Sequence, residues 1–299
     1  MKVLNFGSLN IDNVYKVDHF VRGGETLSSE SLKLFCGGKG LNQSVTLGRA
    51  GIETYHAGSI GEDGTFLLDI LHSAHVDTGC VRILREVRTG NAIIQNNREG
   101  ENCILLYGGA NQAITREQVD ETLGHFAAGD YLILQNEINE LSYIVESAHQ
   151  KGMIIVLNPS PMDEKVLNLK LSCIDWFMLN EIEAGQLTGL DTTDAERLIP
   201  AMLARFPDAH IVLTLGGKGS CYADRRQVVR QGIYKVRTVD TTAAGDTFAG
   251  YFMAGIIRGE TVKASLDMAA RAAAITVSRP GAAPSIPTMQ EVTDFRPQA

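Results

Sequence analysis

The chain alternates between short apolar runs and longer amphipathic stretches. Apolar runs of about four to eight residues bounded by turn residues are typical of buried strands, and apolar positions that recur every three or four residues are typical of helices. The predicted strands are Lys2–Leu9, Thr54–Ile60, Cys80–Arg85, Asn91–Gln95, Cys103–Tyr107, Tyr131–Gln135, Ile154–Leu157, Trp176–Leu179 and Ile211–Leu215. The predicted helices are Leu41–Ala50, Gly64–His75, Arg116–Phe126, Ser142–Gln150, Glu181–Thr188, Thr193–Arg205, Gly245–Arg258 and Thr261–Arg279.

The order of these elements indicates the fold class. Strands from Tyr131 onward are apolar throughout, as expected for a parallel sheet covered by helices on both faces. Strands and helices alternate over most of the chain, which is typical of α/β folds. Residues 220–237 predict a hairpin meander before the last helices. We therefore expect one α/β domain over residues 1–299.

Residues 13–37 depart from this pattern. Their apolar positions are interleaved with polar ones and broken by Gly23-Gly24, which predicts extended segments with one face in water. Residues 91–107 contain two further short strands. We expect these two segments to form a small β excursion from the main domain.

Composition and charge exclude several classes of partner. Apolar residues make up 44% and charged residues 21% of the 299 residues, as in globular proteins with a sizeable core. The formal charge of −8 and the lack of a basic tail disfavour nucleic acid and anionic membranes. No apolar run approaches the roughly 20 residues of a membrane span. The N-terminal residues predict a first strand, not a signal peptide.

Cysteine usage indicates a reducing compartment. The five cysteines are widely spaced and contain no C-x-x-C pair: Cys36, Cys80, Cys103, Cys173 and Cys221. An odd number at such spacing is typical of reduced, mostly buried thiols, so we expect a cytoplasmic protein.

Two common phosphate-binding signatures are missing. Gly38-Lys39 and Gly217-Lys218 are each followed by glycine, where a P-loop has Ser or Thr, and no G-x-G-x-x-G follows the first strand. His72 and His75 could suggest a metal pair, but no further ligand lies nearby, so a helix surface is the better interpretation. A P-loop or a Rossmann dinucleotide site is therefore not expected.

The run Asp240–Gly250 (DTTAAGDTFAG) is the most informative stretch. Small residues before a helix let backbone N–H groups converge where the helix dipole adds positive charge, which makes an anion site. Asp246 in that place suits a base that takes a proton from a hydroxyl attacking a phosphate, as in a kinase. A helix N-cap is the alternative explanation for this residue.

Two more clusters combine glycines with polar side chains. Gly37–Gln43 (GGKGLNQ) precedes a helix, and predicts either a freely turning loop or a backbone that approaches a ligand, with the Asn42 amide facing hydroxyls. Asn10 and Asp12 follow the first strand, and either face vicinal hydroxyls together or serve as turn residues. Taken singly, these residues leave both alternatives open.

A family resemblance decides between them. Gly37–Gly51 and Asp240–Gly250 resemble the two signatures of the ribokinase-like (PfkB) carbohydrate kinases, in the same order and at a similar separation. Further matching motifs are Gly7–Asp12, Gly109–Asn111, Asn158–Pro161, Asn180–Glu183, Thr214–Gly219 and Arg279–Ser285. The resemblance covers essentially the whole chain and is strongest to ribokinase-type members. It implies a Rossmann-like, mostly parallel central sheet with helices on both faces and a small β-sheet lid.

The resemblance also implies an activity. Members of the family transfer the γ-phosphoryl group of ATP to a sugar hydroxyl, so this chain is expected to phosphorylate the primary hydroxyl of a pentose. Ribose to ribose 5-phosphate is the first candidate reaction. Deoxyribose, fructose, another sugar or a nucleoside is the alternative substrate, and a non-catalytic sugar sensor with the same fold is the alternative class.

The resemblance assigns roles to particular residues. Asp246 is implied as the base, with the backbone of Ala243, Ala244 and Gly245 as an anion hole. The implied sugar-binding residues are Asn10, Asp12, Gly38, Lys39, Asn42, Glu137 and Asp246. The implied nucleotide-binding residues are Asn180, Thr214, Gly216, Gly217, Gly219 and Gly245. Mg²⁺ is expected near Asn180 and Glu183, and the implied K⁺ site consists of Asp240, Thr242, Thr276, Arg279, Gly281 and Ser285.

The small β segments acquire a role from the same resemblance. Residues 13–37, with 91–107, are implied to form a lid over the sugar that also pairs two subunits into a dimer. Three positions depart from the family pattern. Ala244 replaces a common glycine, Ala270 replaces a polar or imidazole side chain beside the adenine, and Asn136 replaces a common apolar residue before Glu137. The last two bring nucleotide contacts and sugar preference into question.

Overall fold

The computed structural model describes residues 1–296, which form a large sheet with helices on both faces and a smaller sheet beside it. The strands are β1 (Val3–Phe6), β2 (Asn10–Lys16), β3 (Ser31–Gly37), β4 (Thr54–Gly61), β5 (Val76–Leu84), β6 (Gly90–Asn96), β7 (Asn102–Tyr107), β8 (Tyr131–Gln135), β9 (Ile154–Asn158), β10 (Trp176–Asn180), β11 (His210–Thr214), β12 (Ser220–Ala223) and β13 (Val228–Gln231). The helices are α1 (Lys39–Arg49), α2 (Phe66–Ser73), α3 (Arg116–Gly124), α4 (Leu141–Lys151), α5 (Glu164–Leu167), α6 (Glu181–Thr188), α7 (Ala195–Arg205), α8 (Ala244–Ile257), α9 (Val262–Val277) and α10 (Met289–Asp294).

The large sheet has the strand order β13-β12-β11-β10-β9-β8-β1-β4-β5. Its pairs are parallel from β11 to β5, and β12 and β13 are added antiparallel at one edge. The chain moves outward from β1 through β4 to β5, then restarts on the other side at β8. In open sheets of this kind, ligands bind outside the carboxyl ends of the strands where the order reverses. The gap between the ends of β1 and β8 is therefore the expected place for a site.

Helices cover both faces of the large sheet, which explains why strands β8 to β11 are apolar except at their ends. Along β1, Leu4 belongs to the core on one face, and Val3 to the core on the other; Leu132 and Ile133 divide in the same way along β8. Successive side chains of a strand point to opposite faces, so most residues of a strand that is buried on both sides are apolar. Among residues 1–296, no helix is both long enough and apolar enough to cross a bilayer.

The small sheet consists of β2, β3, β6 and β7 in the order β3-β2-β6-β7. Strand β2 pairs antiparallel with β3 and parallel with β6, and β7 pairs antiparallel with β6. The expected second sheet is thus present. Strand β2 begins at Asn10, so Asn10 and Asp12 lie within a strand. The alternative interpretation of these two residues as turn residues is therefore wrong.

Several predicted elements differ in length from those observed. The predicted helix Gly64–His75 is replaced by a 3₁₀ turn, Glu62–Gly64, and the shorter α2. Strand β5 begins four residues before the predicted Cys80, because its alternate positions are exposed and weaken the apolar signal. Helices α5 and α10 were not predicted, since four and six residues are too few to establish a helical period.

Candidate active site

A cleft of about 220 Å³ lies outside the carboxyl ends of β9, β10 and β11 and beside the start of α8. Its walls contain residues from both family signatures and from the motifs between them. The lining residues are Lys39, Asn158, Ser160, Met178, Leu179, Asn180, Glu183, Thr214, Thr241, Ala243, Ala244, Gly245, Asp246, Phe248 and Ala249. The structure therefore brings the candidate base, the anion turn and three of the six candidate nucleotide residues, Asn180, Thr214 and Gly245, to one cleft.

The turn before α8 presents backbone N–H groups to this cleft. Ala243 adopts a left-handed conformation, with φ 60° and ψ 5°, and caps the helix. The Ala244 N–H donates to the Thr241 carbonyl at 3.2 Å, and the Thr247 N–H donates to the Ala243 carbonyl at 2.8 Å. The N–H groups of Ala243 and Gly245 have no acceptor among residues 1–296. Two of the three implied anion-hole donors are thus available, and the third has to leave the Thr241 carbonyl or share it.

Asp246 lies in the first turn of α8 with 7% of its surface exposed. The Asn42 side-chain amide donates to its Oδ2 at 3.1 Å, and the Gln43 amide donates to its Oδ1 at 2.9 Å. Its side chain does not cap α8, since Ala243 occupies that position without a side-chain hydrogen bond. The N-cap explanation of Asp246 is therefore wrong, and the carboxylate is held by α1 instead.

The glycine loop before α1 packs closely on the ends of β1 and β8. Gly38 has φ 92°, a conformation that favours glycine, and a Cβ at Gly40 would lie 2.3 Å from the Ser8 backbone nitrogen. The loop therefore requires glycines for close backbone approach, and a freely turning loop is not what the structure shows. The Lys39 N–H donates to Glu137 Oε2 at 2.9 Å, and the Ser8 hydroxyl donates to the same oxygen.

Three carboxylates influence the charge of Lys39. Burial alone lowers the pKa of Lys39, but Asp246, Glu137 and Glu183 outweigh that effect, so the pKa is raised above its ordinary value. Burial raises the pKa of Glu137, against the opposing influence of Lys39 and of the hydrogen bond from Ser8. The ammonium group is thus the charge that compensates an otherwise acidic site.

Asn10 and Asp12 are two residues apart in β2 and therefore share one face of the small sheet. The Asn111 amide donates to Asn10 Oδ1 at 2.7 Å, and Asn111 also exchanges hydrogen bonds with the backbone of Leu9. Burial, assisted by the nearby Glu137 carboxylate, raises the pKa of Asp12 to about 7. A carboxyl group with a pKa near neutrality can donate or accept a hydrogen bond within the physiological range.

Asn180 and Glu183 form a capping box at the start of α6. Asn180 Oδ1 accepts from the N–H groups of Ile182 and Glu183, each at 2.9 Å, and Glu183 Oε2 accepts from the Asn180 N–H at 3.0 Å. Glu183 nevertheless lines the cleft, and its Oε1 has no hydrogen bond within the described range 1–296. The residues fit Mg²⁺ in its usual setting, where one or two carboxylates act together with phosphate oxygens and water.

The remaining candidate nucleotide residues lie at the end of β11. Thr214 lines the cleft, whereas Gly216 and Gly217 are exposed in a 3₁₀ turn with open space beside them. Gly219 closes this turn with φ 96° and packs against the Gln231 carbonyl. The turn leaves room for a flat ring against its backbone, so the position suits a nucleotide.

The candidate K⁺ residues join the turn before α8 to the loop after α9. Asp240 Oδ1 accepts from the Thr242 N–H at 2.9 Å and from its hydroxyl, and Oδ2 accepts from the Gly281 N–H at 2.9 Å. Burial would raise the pKa of Asp240, but these hydrogen bonds outweigh it and lower the pKa. An ionised carboxylate between two loops fits a monovalent cation.

The other three residues of this set are already engaged within the protein. The Thr276 carbonyl accepts from the Arg279 N–H at 3.1 Å, and the Arg279 side chain pairs with Glu291 at 2.6 Å. The Ser285 hydroxyl donates to the Ala282 carbonyl at 2.7 Å. Any contribution of Arg279 to a cation site is therefore through its carbonyl oxygen, since the guanidinium group lies on Glu291.

Some site residues were not found from sequence. Gln43, Ser8 and Asn111 contact implied site residues, although the sequence reasoning gave none of them a role. Asn136 was expected to influence sugar preference, but its amide donates to the Pro161 carbonyl and, at 2.9 Å, to Asp163. Within residues 1–296 no group of three or more His, Cys, Asp or Glu side chains could hold a metal ion, and His72 instead contacts Thr78.

Comparison with known proteins gives a consistent result. The model of the family "pfkB family carbohydrate kinase" matches residues 1–289. The chain belongs to this family of carbohydrate kinases. As a pfkB family member it is 36% identical to a ribokinase of Staphylococcus aureus over 299 residues, covering 97% of this chain and 98% of the relative.

Solved structures of other pfkB family members share the fold. A Cryptococcus neoformans ribokinase in complex with ADP has a TM-score of 0.86 and 32% identity, covering 98% of this chain and 99% of that one. An Arabidopsis thaliana ribokinase complexed with ribose and ATP has a TM-score of 0.87 and 28% identity, with the same coverage. The chain is thus an enzyme of the phosphotransferase class with an alcohol acceptor.

Asp12→Asn should change how stability depends on pH. Asp12 has a folded-state pKa of about 7, above its ordinary 3.8, so between these values the folded protein binds more protons than the unfolded chain. The wild-type free energy of unfolding therefore falls as pH rises through this window, and Asn at position 12 removes that contribution. In chemical denaturation from pH 4 to 8, the free energy of unfolding of the variant relative to wild type should rise by at most about 4 kcal/mol, and the rise should be complete by about pH 8. A constant difference across this range would contradict the assignment.

Proposed function

We propose that this enzyme transfers the γ-phosphoryl group of ATP to the primary hydroxyl of ribose. The observation that supports this most directly is the position of Asp246. It is buried at the start of α8, next to a turn with available N–H donors, and its carboxylate faces the first turn of α1, which carries Lys39 and Asn42. A base beside an anion site, reached from a sugar-type pocket, is what a hydroxyl kinase needs.

Asp246 takes the proton from the hydroxyl oxygen as that oxygen attacks the γ-phosphorus. General-base assistance of this kind contributes about 10²- to 10⁴-fold. Charge that spreads over the transferring phosphoryl group is stabilised by the N–H groups of Ala243, Ala244 and Gly245 and by the Lys39 ammonium. The helix dipole of α8 adds to the same effect.

The proposed sugar pocket lies between the small sheet and the glycine loop. Hydroxyl groups both donate and accept, and the side chains there offer carboxyl groups with raised pKa values beside amides. The proposed contacts are Asn10, Asp12, Gly38, Lys39, Asn42 and Glu137, with Asp246 beneath the reacting hydroxyl. Glu137 follows β8 at the point where the strand order reverses, which is the usual ligand position in such sheets.

The proposed nucleotide pocket lies at the ends of β10 and β11. Asn180 and Thr214 line the cleft, and the backbone of Gly216, Gly217 and Gly219 would contact the nucleoside, with Gly245 at the phosphates. Glu183, helped by Asn180, would hold Mg²⁺ together with phosphate oxygens and water. Held there, the metal would supply positive charge to neutralise the phosphates. Ala270, which the family resemblance puts beside the adenine, would offer it only a methyl group.

We also propose K⁺ as an activator. Its ligands would be Asp240 and oxygens of Thr242, Thr276, Arg279, Gly281 and Ser285. The support is that Asp240 already joins the anion turn to the loop at Gly281. A cation bound there would hold the turn in the conformation that presents its N–H groups.

A sugar panel tests the substrate. The protein should consume ATP fastest with ribose, more slowly with deoxyribose or fructose, and most slowly with a nucleoside such as inosine. With each substrate the rate should be higher in K⁺ than in Na⁺. Product identity should be established by mass spectrometry and NMR, with phosphate on the primary hydroxyl carbon. Faster phosphorylation of a nucleoside than of ribose would contradict the ribose assignment. If no compound of the panel is phosphorylated, the result would favour a non-catalytic sugar sensor.

Asp246→Asn tests the proposed base. The substitution keeps the side-chain size but cannot accept the proton, so kcat for ribose should fall by about 10²- to 10⁴-fold. Ribose binding, measured by isothermal titration calorimetry, should largely survive because the other pocket residues are intact. Gln290→Asn, on exposed α10, is a control with kcat expected at the wild-type value. Substantial activity in Asp246→Asn would remove the carboxylate from the mechanism.

We further propose a homodimer formed through the small sheet, which would also act as a lid over the sugar. Large apolar side chains are exposed on this sheet, which is unusual for a surface in water. They are Leu32, Leu34, Ile93, Ile104, Leu105, Leu106 and Tyr107. One register row of this sheet runs through Leu34, Asn13, Ile93 and Leu105 on β3, β2, β6 and β7, so three of its four positions are apolar.

Leu105→Lys should weaken this dimer. The wild-type side chain is 66% exposed in one subunit, and a buried charge in its place would oppose association. Sedimentation velocity should show a larger monomer fraction in the variant. Leu167→Lys is the matched control, since Leu167 is 44% exposed on α5, away from the small sheet. A wild-type protein that sediments as a monomer at micromolar concentration would contradict the proposal.

A further inference from the structure

A chain of buried amide side chains runs from the centre of the large sheet to the carboxylate of Asp246. The Gln135 amide donates to Gln43 Oε1 at 2.7 Å, and the Gln43 amide donates to Asp246 Oδ1 at 2.9 Å. Gln135 lies at the end of β8 with 0% exposure, and Gln43 lies in α1 with 2% exposure. Neither residue is among those that line the cleft beside the start of α8.

The same Gln135 amide begins a second branch. It donates to Asn5 Oδ1 at 2.9 Å, and the Asn5 amide donates to the Gly40 carbonyl at 2.7 Å and to the Ser44 hydroxyl at 2.8 Å. Ser44 lies 2.7 Å from His56 Nδ1, and burial lowers the pKa of His56 to about 3. The imidazole is therefore neutral, and its Nδ1 shares a hydrogen bond with the Ser44 hydroxyl. This branch ends away from Asp246.

The direction of each hydrogen bond is fixed by its neighbours. The carboxylate of Asp246 only accepts, so Gln43 must present its NH₂ group to it. Gln43 then has only its oxygen left for Gln135, which must donate. Rotating the Gln43 amide by half a turn would place oxygen against carboxylate and NH₂ against NH₂, which costs two buried hydrogen bonds. Gln135 therefore locks the Gln43 amide in one orientation.

This orientation fixes the carboxylate plane. Asn42 holds Oδ2 and Gln43 holds Oδ1, so the carboxylate cannot rotate about its terminal bond without losing a hydrogen bond. General-base catalysis depends on the direction in which the accepting oxygen faces the hydroxyl, and small displacements are costly. We propose that Gln43, oriented by Gln135, is a positioning residue for the base Asp246. This inference rests on the proposed kinase function.

The test compares two substitutions in the Asp246 branch with one in the other branch. Gln43→Met keeps the length of the side chain but removes the amide. Gln135→Met removes the group that orients Gln43, together with the hydrogen bond to Asn5. Ser44→Ala interrupts the branch to His56 and leaves Gln43 and Gln135 in place. Steady-state kinetics with ribose and MgATP, ribose binding by calorimetry and thermal unfolding are measured for all three and for wild type.

If Gln43 is a positioning residue, the substitutions should affect kcat, ribose affinity and the unfolding temperature differently. Gln43→Met should lower kcat by about 10- to 100-fold, and Gln135→Met by a smaller factor in the same direction. Ribose affinity should stay close to wild type in both, because the interaction lost acts on the transition state. Ser44→Ala should lower the unfolding temperature, since it leaves buried polar groups unpaired, with kcat near the wild-type value.

Two results would overturn the proposal. One is a kcat for Gln43→Met no lower than that of Ser44→Ala, and the other is a loss of ribose affinity equal to the loss in kcat/KM. If Gln43→Met does not fold, Gln135→Met decides the question by the same criteria. The proposed function fails separately, when wild-type protein phosphorylates no sugar or Asp246→Asn remains active.

Discussion

The hydrogen bonds between the first turns of α1 and α8 are the contact on which the site depends. They join residues more than 200 positions apart, since Asn42 and Gln43 both donate to Asp246. Such a contact requires the two helices to approach closely. Gly250 permits this, because a Cβ there would lie 2.5 Å from Thr46 Cγ2. Gly250 thus allows the close approach of α1 and α8 in which Asp246, one turn earlier in α8, accepts its hydrogen bonds.

Close backbone packing has the same purpose where the start of α1 meets β1. Gly7 and Gly40 approach so nearly that a Cβ at Gly7 would lie 2.7 Å from the Gly40 Cα. This places the start of α1 directly against the end of β1, within reach of Glu137 after β8. The glycines in the motifs therefore act in two ways, since some allow unusual dihedral angles and others bring elements together. Only the second kind determines where the site lies.

Much of the fold followed from the sequence, because strands buried on both faces and amphipathic helices leave clear periodic signals. The short helices α5 and α10 did not, and neither did the strand location of Asn10 and Asp12, since a three-residue gap after β1 resembles a turn. Asp246 was found from its motif. Gln43 was passed over although it lies in the other motif, because its partners, Gln135 and Asp246, are distant in sequence. Hydrogen bonds between distant amides have no local signature.

Burial makes the site electrostatically unfavourable before ligands bind, and this explains its unusual charges. Asp12 and Glu137 have raised pKa values because each is desolvated and Asp12 lies near the Glu137 charge. Lys39 compensates only in part. In the proposed pocket, a sugar bound between them would bring hydroxyl donors to both carboxyl groups, which would favour their ionised forms and replace lost water. Selectivity for a polyhydroxy ligand would then follow from the pocket itself, because a ligand without those donors would leave two desolvated carboxyl groups with fewer hydrogen bonds.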